Sequence, residues 1–333
     1  MTNLNPSTDV SRTPPVREAP AGLKVILSLA TRFVVSLWAL ITLTFMMLQL
    51  VPGDPVRASL GMSASPQEVA AARANLNLDQ PLLKQYFDYL GNVVTGDFGD
   101  SIIRRIPVTQ IVAAGLWNTV ILTLAAFALA LVIAIPLGSI GAAIAETGLK
   151  RRQDFAFTAV TTLGASVPEF LLGVGLVFVF AVSWPVLPVA GSDGPVSFVL
   201  PVLALSMAPA FSLARILRTE GTRVLREEYI RTARAKRLTG WRVHTRHVLP
   251  NVVPTGLTVG ALLLGGMLAA TVLVESVFSW PGLGEAFVQA IQDKDYPVVQ
   301  TIALIYGAMV LLLNLAVDVA IVVIDPRADR SAL

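Results

Sequence analysis

Long apolar runs separated by short polar and charged segments dominate the pattern along this chain. A membrane-spanning helix needs about 20 mainly apolar residues, because the hydrocarbon core of a bilayer is about 30 Å thick and a helix rises about 1.5 Å per residue. Six segments meet this requirement, namely residues 33–51, 117–145, 155–183, 198–217, 256–278 and 299–324. The pattern therefore predicts an all-α integral membrane protein with about six transmembrane helices.

The fourth segment is marginal, because Pro201 and Pro209 interrupt its apolar run. Prolines are tolerated where neighbouring helices or water satisfy the freed carbonyls, so we expect this segment to face protein or a cavity. The first segment has the position of a signal peptide, but its apolar run is too long and no cleavage site follows, so we expect it to be retained. The polar, proline-containing stretch before it predicts a disordered tail over residues 1–22.

Lysine and arginine are unevenly divided between the two sides of the predicted membrane helices. With the N-terminus inside, the cytoplasmic segments hold 19 of these residues and the outer segments hold 6. Short cytoplasmic loops retain basic residues, so both termini are predicted to be cytoplasmic. The resulting organisation is a first helix over residues 23–51, an extracytoplasmic loop over 52–116, a five-helix core over 117–324 and a cytoplasmic tail over 325–333.

Composition excludes several kinds of site. Charged residues make up only 14% of the chain, whereas soluble domains contain about 25%. The chain has no cysteine and two histidines, which excludes disulfides and sites built from thiolates or many histidines. It also lacks the Gly-x-x-x-x-Gly-Lys-Ser/Thr phosphate loop, so it is not a nucleotide-binding subunit. We expect no metal, no cofactor and no covalent catalysis in this chain.

The outer loop carries two helix signals. Ser65, Pro66 and Glu68 form a capping-box pattern with proline at the first helical position. Apolar residues then recur at helical spacing over residues 81–94. We expect two short helices outside the membrane.

The inner loop over residues 218–254 is rich in arginine. Helix-forming residues run from 220 to 238, Thr239 and Gly240 interrupt them, and a second run from 241 is expected to end at Leu249 and Pro250. Charge alone leaves open a topology signal that meets anionic lipid head groups, or a nucleic-acid surface. No stacking aromatic set or binding motif accompanies the charge, so we expect no nucleic-acid partner.

The spacing within this loop resembles that of the inner-membrane permeases of ABC importers, whose loop pattern is Glu-Ala-Ala, three residues, Gly, nine residues, Ile, one residue, Leu-Pro. The pattern begins here at Arg231-Thr232-Ala233 and ends at Leu249-Pro250, with His247 in place of isoleucine. Arg-Thr for Glu-Ala resembles the dipeptide and oligopeptide (nickel-peptide) branch. Arg237 stands at the position where the pattern has its glycine. Since glycine alone enters a left-handed turn without strain, we expect Gly240 to form the left-handed turn instead.

Other stretches extend the resemblance from about Leu23 to Arg327. They are Leu50-Val51-Pro52-Gly53-Asp54-Pro55, Gly96-Asp97-Phe98-Gly99-Asp100-Ser101, Val167-Pro168-Glu169-Phe170-Leu171-Leu172-Gly173, the run from Glu275 to Gly284, and Asp325-Pro326-Arg327. Each is a weak signal by itself, but together they occur in order and at matching topological places.

The resemblance implies a type I importer permease in a bacterial inner membrane that forms half of a pathway for dipeptides, oligopeptides or peptide-like ligands. Its implied partners are a second permease, two ABC ATPase subunits or one fused ATPase that bind ATP and Mg, an extracytoplasmic substrate-binding protein, and membrane lipid. The loop residues that would dock on the ATPase are Glu228, Tyr229, Arg231, Thr232, Ala233, Arg237, Gly240, Leu249 and Pro250.

Polar residues inside the apolar runs are candidates for a pathway lining. Glu169 lies about 21 Å along a continuous helix from Phe155, near the middle of the membrane, where a charge needs a cavity or a partner. It either lines the conduit and attracts a peptide amino group, or bonds to the companion permease. Asn314 and Asp318 are four residues apart and share one helix face, as pathway residues or as polar contacts between packed helices.

The outer end of the fifth segment suggests a gate. Glu275 is expected close to the outer surface, where it marks the helix end or, with Trp280, Pro281, Gly282 and Gly284, forms an outer gate. An intramembrane protease would need a nucleophile–base pair or paired ligands inside the spans, where Glu169 and Asp318 are the only deep acids and no histidine or cysteine lies to join them. The alternative function is an ion-coupled secondary carrier, with Glu169 and Asp318 as proton sites, although such a carrier has no use for the inner loop.

Overall fold

The structure is a computed structural model that describes residues 21–50, 54–61, 64–75, 77–147, 151–189, 191 and 194–324. The expected disordered tail and the expected C-terminal tail lie outside the described residues, apart from residues 21 and 22, which begin the first helix. Pro52, Gly53 and the Asp325-Pro326-Arg327 motif also lie outside them.

Helices and connecting turns make up the described part of the chain, without a β-strand. The helices are α1 (Ala21–Gln49), α2 (Pro55–Leu60), α3 (Pro66–Asn75), α4 (Leu82–Thr95), α5 (Val108–Thr147), α6 (Arg151–Ser166), α7 (Glu169–Val177), α8 (Val199–Leu225), α9 (Glu228–Ala235), α10 (Gly240–Val243), α11 (Leu249–Val277), α12 (Leu283–Gln292) and α13 (Tyr296–Ile324). A π-helical turn continues α7 over Phe178–Ser183, another joins α10 to α11 over His244–Val248, and a 3₁₀ turn over Pro195–Phe198 precedes α8.

Five stretches are long and apolar enough to cross a membrane, and a bent helix pair makes a sixth. They are Leu27–Gln49, Val108–Glu146, Pro195–Leu225, Gly240–Val277 and Tyr296–Ala320, together with the pair Arg151–Ser166 and Glu169–Ser183. The predicted all-α fold with about six spans is thereby confirmed. The cytoplasmic position of the termini stays a prediction.

The third span is not the continuous helix that was expected. Its two halves meet at an angle of 91°, because Val167 precedes Pro168 and the proline ring excludes the helical conformation from the residue before it. Pro168 then caps the start of α7. The continuous helix assumed in placing Glu169 is therefore wrong, and the depth of Glu169 in the membrane stays a prediction.

The fourth span is longer than expected. Helix α8 runs over 27 residues, so that only Pro209 lies in its interior while Pro201 falls in its first turn. Proline is tolerated in the first turn, where the N–H groups have no helical partner in any case. The predicted span is confirmed, and it continues eight residues beyond its expected end at Leu217.

The core is built around α5 and α8, which form the most extensive helix contact, with α11 packed against both. Small residues allow the close approach. A β-carbon on Gly138 would lie 2.6 Å from Leu217 Cβ, and one on Gly221 would lie 2.8 Å from Ala142 Cβ. Lipid tails are as apolar as the helices, so such close packing is what holds membrane helices together. Helix α1 lies at the edge of this core and packs on α13.

The described part of the outer loop contains three short helices rather than two, since α2 had not been expected. The capping box is confirmed, because Ser65 N–H donates to Glu68 Oε2 at 2.8 Å and Glu68 N–H donates to Ser65 Oγ at 3.3 Å. Helix α4 lies against the outer end of α1, where the Tyr86 hydroxyl is 2.9 Å from Thr42 Oγ1.

Candidate functional site: the inner turn and the outer turn

The inner loop is interrupted earlier than expected. The helical run predicted over 220–238 divides at Arg226 and Glu227, so that its first part completes α8 and its second part forms α9. Glu227 is extended, with φ −67° and ψ 149°, and precedes the first turn of α9. The segment 227–241, here called the coupling turn, therefore begins as a separate short helix at the end of α8 and extends into α10.

A left-handed residue closes α9. Arg237 has φ 57°, its N–H donates to Arg234 O at 2.8 Å, and Leu238 N–H donates to Ala233 O at 3.4 Å. These two bonds form a Schellman motif. The expectation that Gly240 takes over this turn is wrong: Gly240 begins α10 and is not among the residues with positive φ. Arg237 itself adopts the conformation, at a cost of about 1 to 2 kcal/mol relative to glycine.

The helix after this turn does not stop at Leu249-Pro250, as had been expected. It runs from Gly240 to Val277. Proline within a helix removes one hydrogen bond and collides with the preceding turn, and here the π-helical turn His244–Val248 comes directly before Leu249. Its wider hydrogen-bonding pattern accommodates Pro250 near the start of α11.

The coupling turn has a buried side and an exposed side. Ile230 is buried in a cluster with residues of α5, α8 and α11, Leu238 packs against that cluster, and Ala233 is buried as well. Tyr229 and Trp241, in contrast, are 44% and 79% exposed. Trp241 was not singled out from the sequence, although a tryptophan in a loop of charged residues was the available signal.

Ion pairs reinforce the attachment of the coupling turn to the membrane helices. Arg234 pairs with Glu146 near the end of α5. On the neighbouring helix, Arg218 pairs with Asp154 of α6 and lies over the Phe157 ring, 5.2 Å from its centroid. Of the coupling residues, Glu228, Arg231 and Thr232 are exposed beside Tyr229. The inner ends of α5, α6, α8 and α9 are thus tied together, with polar side chains left on the outside.

The three pathway candidates lie in two places. Glu169 is half-buried in the first turn of α7, just after the bend. A carboxylate is favourable at a helix N-terminus, which gives it a structural reason to be there. Asn314 and Asp318 share one face of α13 as expected, and with Arg32 they line a cavity at the edge of the core, beside α1. No contact among described residues joins Glu169 to these two.

Glu275 is completely buried, so the expectation that it lies near the solvated surface is wrong. Its carboxylate Oε2 accepts a hydrogen bond of 2.6 Å from Gly284 N–H, and no described donor contacts Oε1. The side chain folds back under the turn 278–284, here called the outer turn. This burial cannot be seen in the sequence, because it results from helices α5 and α12 packing over the end of α11.

The outer turn is bonded to α5 as well as to α11. Leu283 N–H donates to Thr119 Oγ1 at 2.8 Å, and Asn118 Nδ2 donates to Pro281 O at 2.7 Å. The buried Trp280 ring packs edge-on against the Phe198 ring, with 4.4 Å between the ring centroids. These contacts fix the turn to the core, so that a gating motion of the outer turn would carry α5 and α11 with it.

Two glycines make this packing possible. A β-carbon on Gly282 would lie 2.3 Å from Glu275 Oε2, and one on Gly284 would lie 2.5 Å from Val272 Cα. Nearby, outside the spans, burial raises the pKa of Glu285, and Arg104 partly offsets this rise. Glu275 and the outer-turn residues Trp280, Pro281, Gly282 and Gly284 therefore form one assembly, whose role as a gate stays a prediction.

Comparison with known proteins shows the family. Residues 134–330 match the family described as "Binding-protein-dependent transport system inner membrane component". Residues 23–102 match the one described as "Binding-prot-dependent transport system membrane comp, N-term".

Among curated proteins, the chain is 37% identical over 296 residues to the glutathione transport system permease protein GsiC of Escherichia coli (strain K12), covering 89% of this chain and 94% of the relative. It is 37% identical over 284 residues to GsiC of Salmonella choleraesuis (strain SC-B67), covering 85% and 92%.

A solved structure shares the fold. A chain of the inward-facing MetNI methionine ABC transporter superposes with a TM-score of 0.55 at 18% identity, covering 65% of this chain and 97% of that one. None of these comparisons supports the ion-coupled carrier. The chain therefore belongs to the inner membrane component family of binding-protein-dependent transport systems, and it is a multi-pass permease subunit of an ABC importer in the bacterial inner membrane.

Proposed function

We propose that this permease conducts peptides and that its coupling turn is the part that a cytoplasmic ATPase moves. The observation that carries the proposal is the two-sided coupling turn, with Ile230 and Ala233 buried in the core while Tyr229 and Trp241 are exposed. Exposed aromatic side chains are enriched where proteins bind one another, because they supply large contact area at low entropic cost.

The buried side of the coupling turn supplies the mechanical link. The cluster that holds Ile230 also contains Ala142 of α5, Leu217 of α8 and Val252 of α11. Packed interiors are dense and resist compression. A displacement of α9 by a partner would therefore pass to three long helices at once, and the Arg234–Glu146 pair adds a second attachment to α5.

The proposed assembly contains a second permease, two ABC ATPase subunits or one fused ATPase, and an extracytoplasmic substrate-binding protein. ATP and Mg would be bound by the ATPases, since this chain carries no phosphate loop. The exposed side of the bent third span, with Phe170 and Leu171 next to Glu169, is available to face the second permease across the pathway. Peptide cargo is supported by the relatives named for glutathione, which is itself a tripeptide.

The test uses the whole transporter in proteoliposomes. Trp241→Ala and Arg231→Glu should each lower ATP-driven peptide uptake, and loss of one aromatic interface anchor of about 2 kcal/mol corresponds to about a 30-fold weaker contact. Arg151→Glu is the matched control, because Arg151 is also an exposed arginine, in the first turn of α6.

Uptake should fall while the ATPase subunits retain their own hydrolysis, since the variants lie outside the nucleotide sites. Wild-type uptake in both coupling-turn variants, or an equal loss in Arg151→Glu, would contradict the docking role.

A further inference from the structure

A groove runs along the outside of the helix bundle between α1, α11 and α13. Its larger part is a cavity of about 580 Å³, lined by apolar side chains such as Leu40, Leu43, Val272 and Val310. That volume lies within the range of about 300 to 1,000 Å³ typical of small-molecule pockets. The groove opens between membrane-spanning helices, so its surroundings are lipid rather than water.

The groove continues into a polar cavity of about 250 Å³. Ser36 and Leu311 line both cavities, which makes them neighbours along the same two helices. The polar cavity is lined by Arg32, Asn314 and Asp318. Arg32 is near the start of the first span and Asp318 near the end of the last, so the polar end lies on the side of the membrane where α1 begins and α13 ends.

The two charges at this end do not satisfy each other. Arg32 and Asp318 line the same cavity, yet no ion pair of either is found within 4.0 Å among the described residues. The side chain of Asn314 extends from α13 towards α11, because its Oδ1 would lie 3.7 Å from a β-carbon added to Gly265. Ionised side chains at membrane depth normally find a partner. This end of the groove therefore offers a guanidinium donor beside a carboxylate and an amide acceptor.

A zwitterionic lipid head group matches this arrangement. A phosphate accepts hydrogen bonds from a guanidinium in a favourable forked geometry, and a primary ammonium donates to carboxylate and amide oxygens. The groove from Arg32 to Leu43 is about 16 Å long, which is about half of the 30 Å hydrocarbon core. One acyl chain of one leaflet spans that depth.

We propose that this groove binds a phosphatidylethanolamine molecule, with its phosphate on Arg32, its ammonium on Asp318 and Asn314, and one acyl chain in the apolar cavity. The bound lipid would fill the space between α1 and the core and neutralise both charges. The proposal assigns Asn314 and Asp318 to lipid rather than to the substrate pathway, and it does not involve the coupling turn.

Native mass spectrometry of the full-length chain in detergent, titrated with defined phospholipids, tests the proposal. With the unmodified protein, phosphatidylethanolamine should bind at least tenfold more tightly than phosphatidylcholine of the same acyl chains, because methylation removes every N–H donor of the ammonium. Equal affinity for the two lipids would overturn the head-group assignment, and this comparison does not depend on the folding of any variant.

Variants then test the position of the site. Arg32→Gln and Asp318→Asn should each weaken phosphatidylethanolamine binding about tenfold, and Ala269→Phe, which fills the apolar cavity, should abolish it. Arg151→Gln and Ala128→Phe are exposed controls outside the groove and should bind as the unmodified chain does. Undiminished binding in Arg32→Gln and Ala269→Phe would overturn the proposal.

The assembled transporter provides a last test, since a helix of another subunit could occupy the same groove. The chain has no cysteine, so Ser36→Cys would give a single reactive thiol in the groove. A thiol that reacts with a lipid-soluble maleimide in the intact transporter agrees with a lipid occupant. A cross-link from that position to a second subunit would overturn it.

Discussion

Replacing Gly284 by alanine tests whether the outer turn is held by its buried hydrogen bonds. The added β-carbon would lie 2.5 Å from Val272 Cα, 2.8 Å from Glu275 Oε2 and 3.1 Å from Tyr306 Oη. Carbon atoms pack at about 3.5 to 4.0 Å, so α12 would have to move away from α11 by about 1 Å. That movement stretches the 2.6 Å bond from Gly284 N–H to Glu275 beyond the range of a hydrogen bond.

Two costs follow from the movement. Overpacking of a tight interior costs about 1 to 3 kcal/mol, and a buried donor that loses its partner costs about 1 to 3 kcal/mol. Gly284→Ala should therefore lower the free energy of unfolding by about 2 to 6 kcal/mol. The matched control is Gly266→Ala in α11, where an added β-carbon meets no atom within 4 Å. A helix interior favours alanine over glycine by about 1 kcal/mol, so the control should be neutral or stabilising.

The assay is unfolding of the purified chain in mixed micelles by increasing dodecyl sulfate, followed by tryptophan fluorescence. Trp280 is buried in the outer turn and reports its opening. If Gly284→Ala and Gly266→Ala unfold at the same detergent fraction, the outer turn does not depend on the close contact between Gly284 and α11, and the reasoning above fails.

Three further predictions concern the inner turn, the outer loop and the bent span. Arg237→Gly should raise the free energy of unfolding by about 1 kcal/mol, because the left-handed φ of 57° suits glycine, and the same denaturation assay would disprove this if Arg237→Gly were less stable. Hydrogen bonds from the N–H and the hydroxyl of Ser65 hold the pKa of Glu68 below its usual value. The capping box is therefore intact above the usual pKa of glutamate, and it is lost as the pH falls through the lowered pKa of Glu68. The protection of the α3 amides, taken relative to intrinsic exchange at each pH, should fall there, and a Glu68→Gln variant whose protection shows the same pH dependence would contradict the assignment. Glu169→Gln should change the KM for peptide without changing the amount of inserted protein. Unchanged transport kinetics would contradict a pathway role and leave Glu169 with only a structural role at the start of α7.

The spans were predictable because hydropathy is set locally, residue by residue, and every long apolar run became helical, the third as a bent pair. The bend in the third span was missed because a hydropathy average over 155–183 does not register a change of direction. Pro168 was the available signal, since the residue before a proline avoids the helical conformation. The break between α8 and α9 has no comparable sequence signal, because the residues at the break, Arg226 and Glu227, are neither glycine nor proline.

The inner turn shows how far a spacing pattern reaches. The pattern placed the left-handed residue at position 237 correctly, but the chemical preference for glycine led to the wrong expectation that Gly240 replaced it. Pro250 was read as a helix end, yet the preceding π-helical turn lets the helix continue. In both places the surrounding structure imposed a backbone conformation that the residue itself does not prefer.

The outer turn depends on tertiary packing. Glu275 near the end of an apolar run reads as a solvated helix end, and the sequence contains no sign that Thr119, more than 150 positions earlier, lies beside the same turn. The polar cavity beside α1 has the same origin, since Arg32 and Asp318 come together only when the first and last spans pack.

Peptide uptake into proteoliposomes tests the central claim most directly. A labelled tripeptide should accumulate only when this chain is assembled with its second permease, the ATPases and the binding protein, and only when ATP is present on the ATPase side. Accumulation driven by a proton gradient in vesicles that contain this chain alone would contradict the account, because transport would then occur without an ATPase to move the coupling turn.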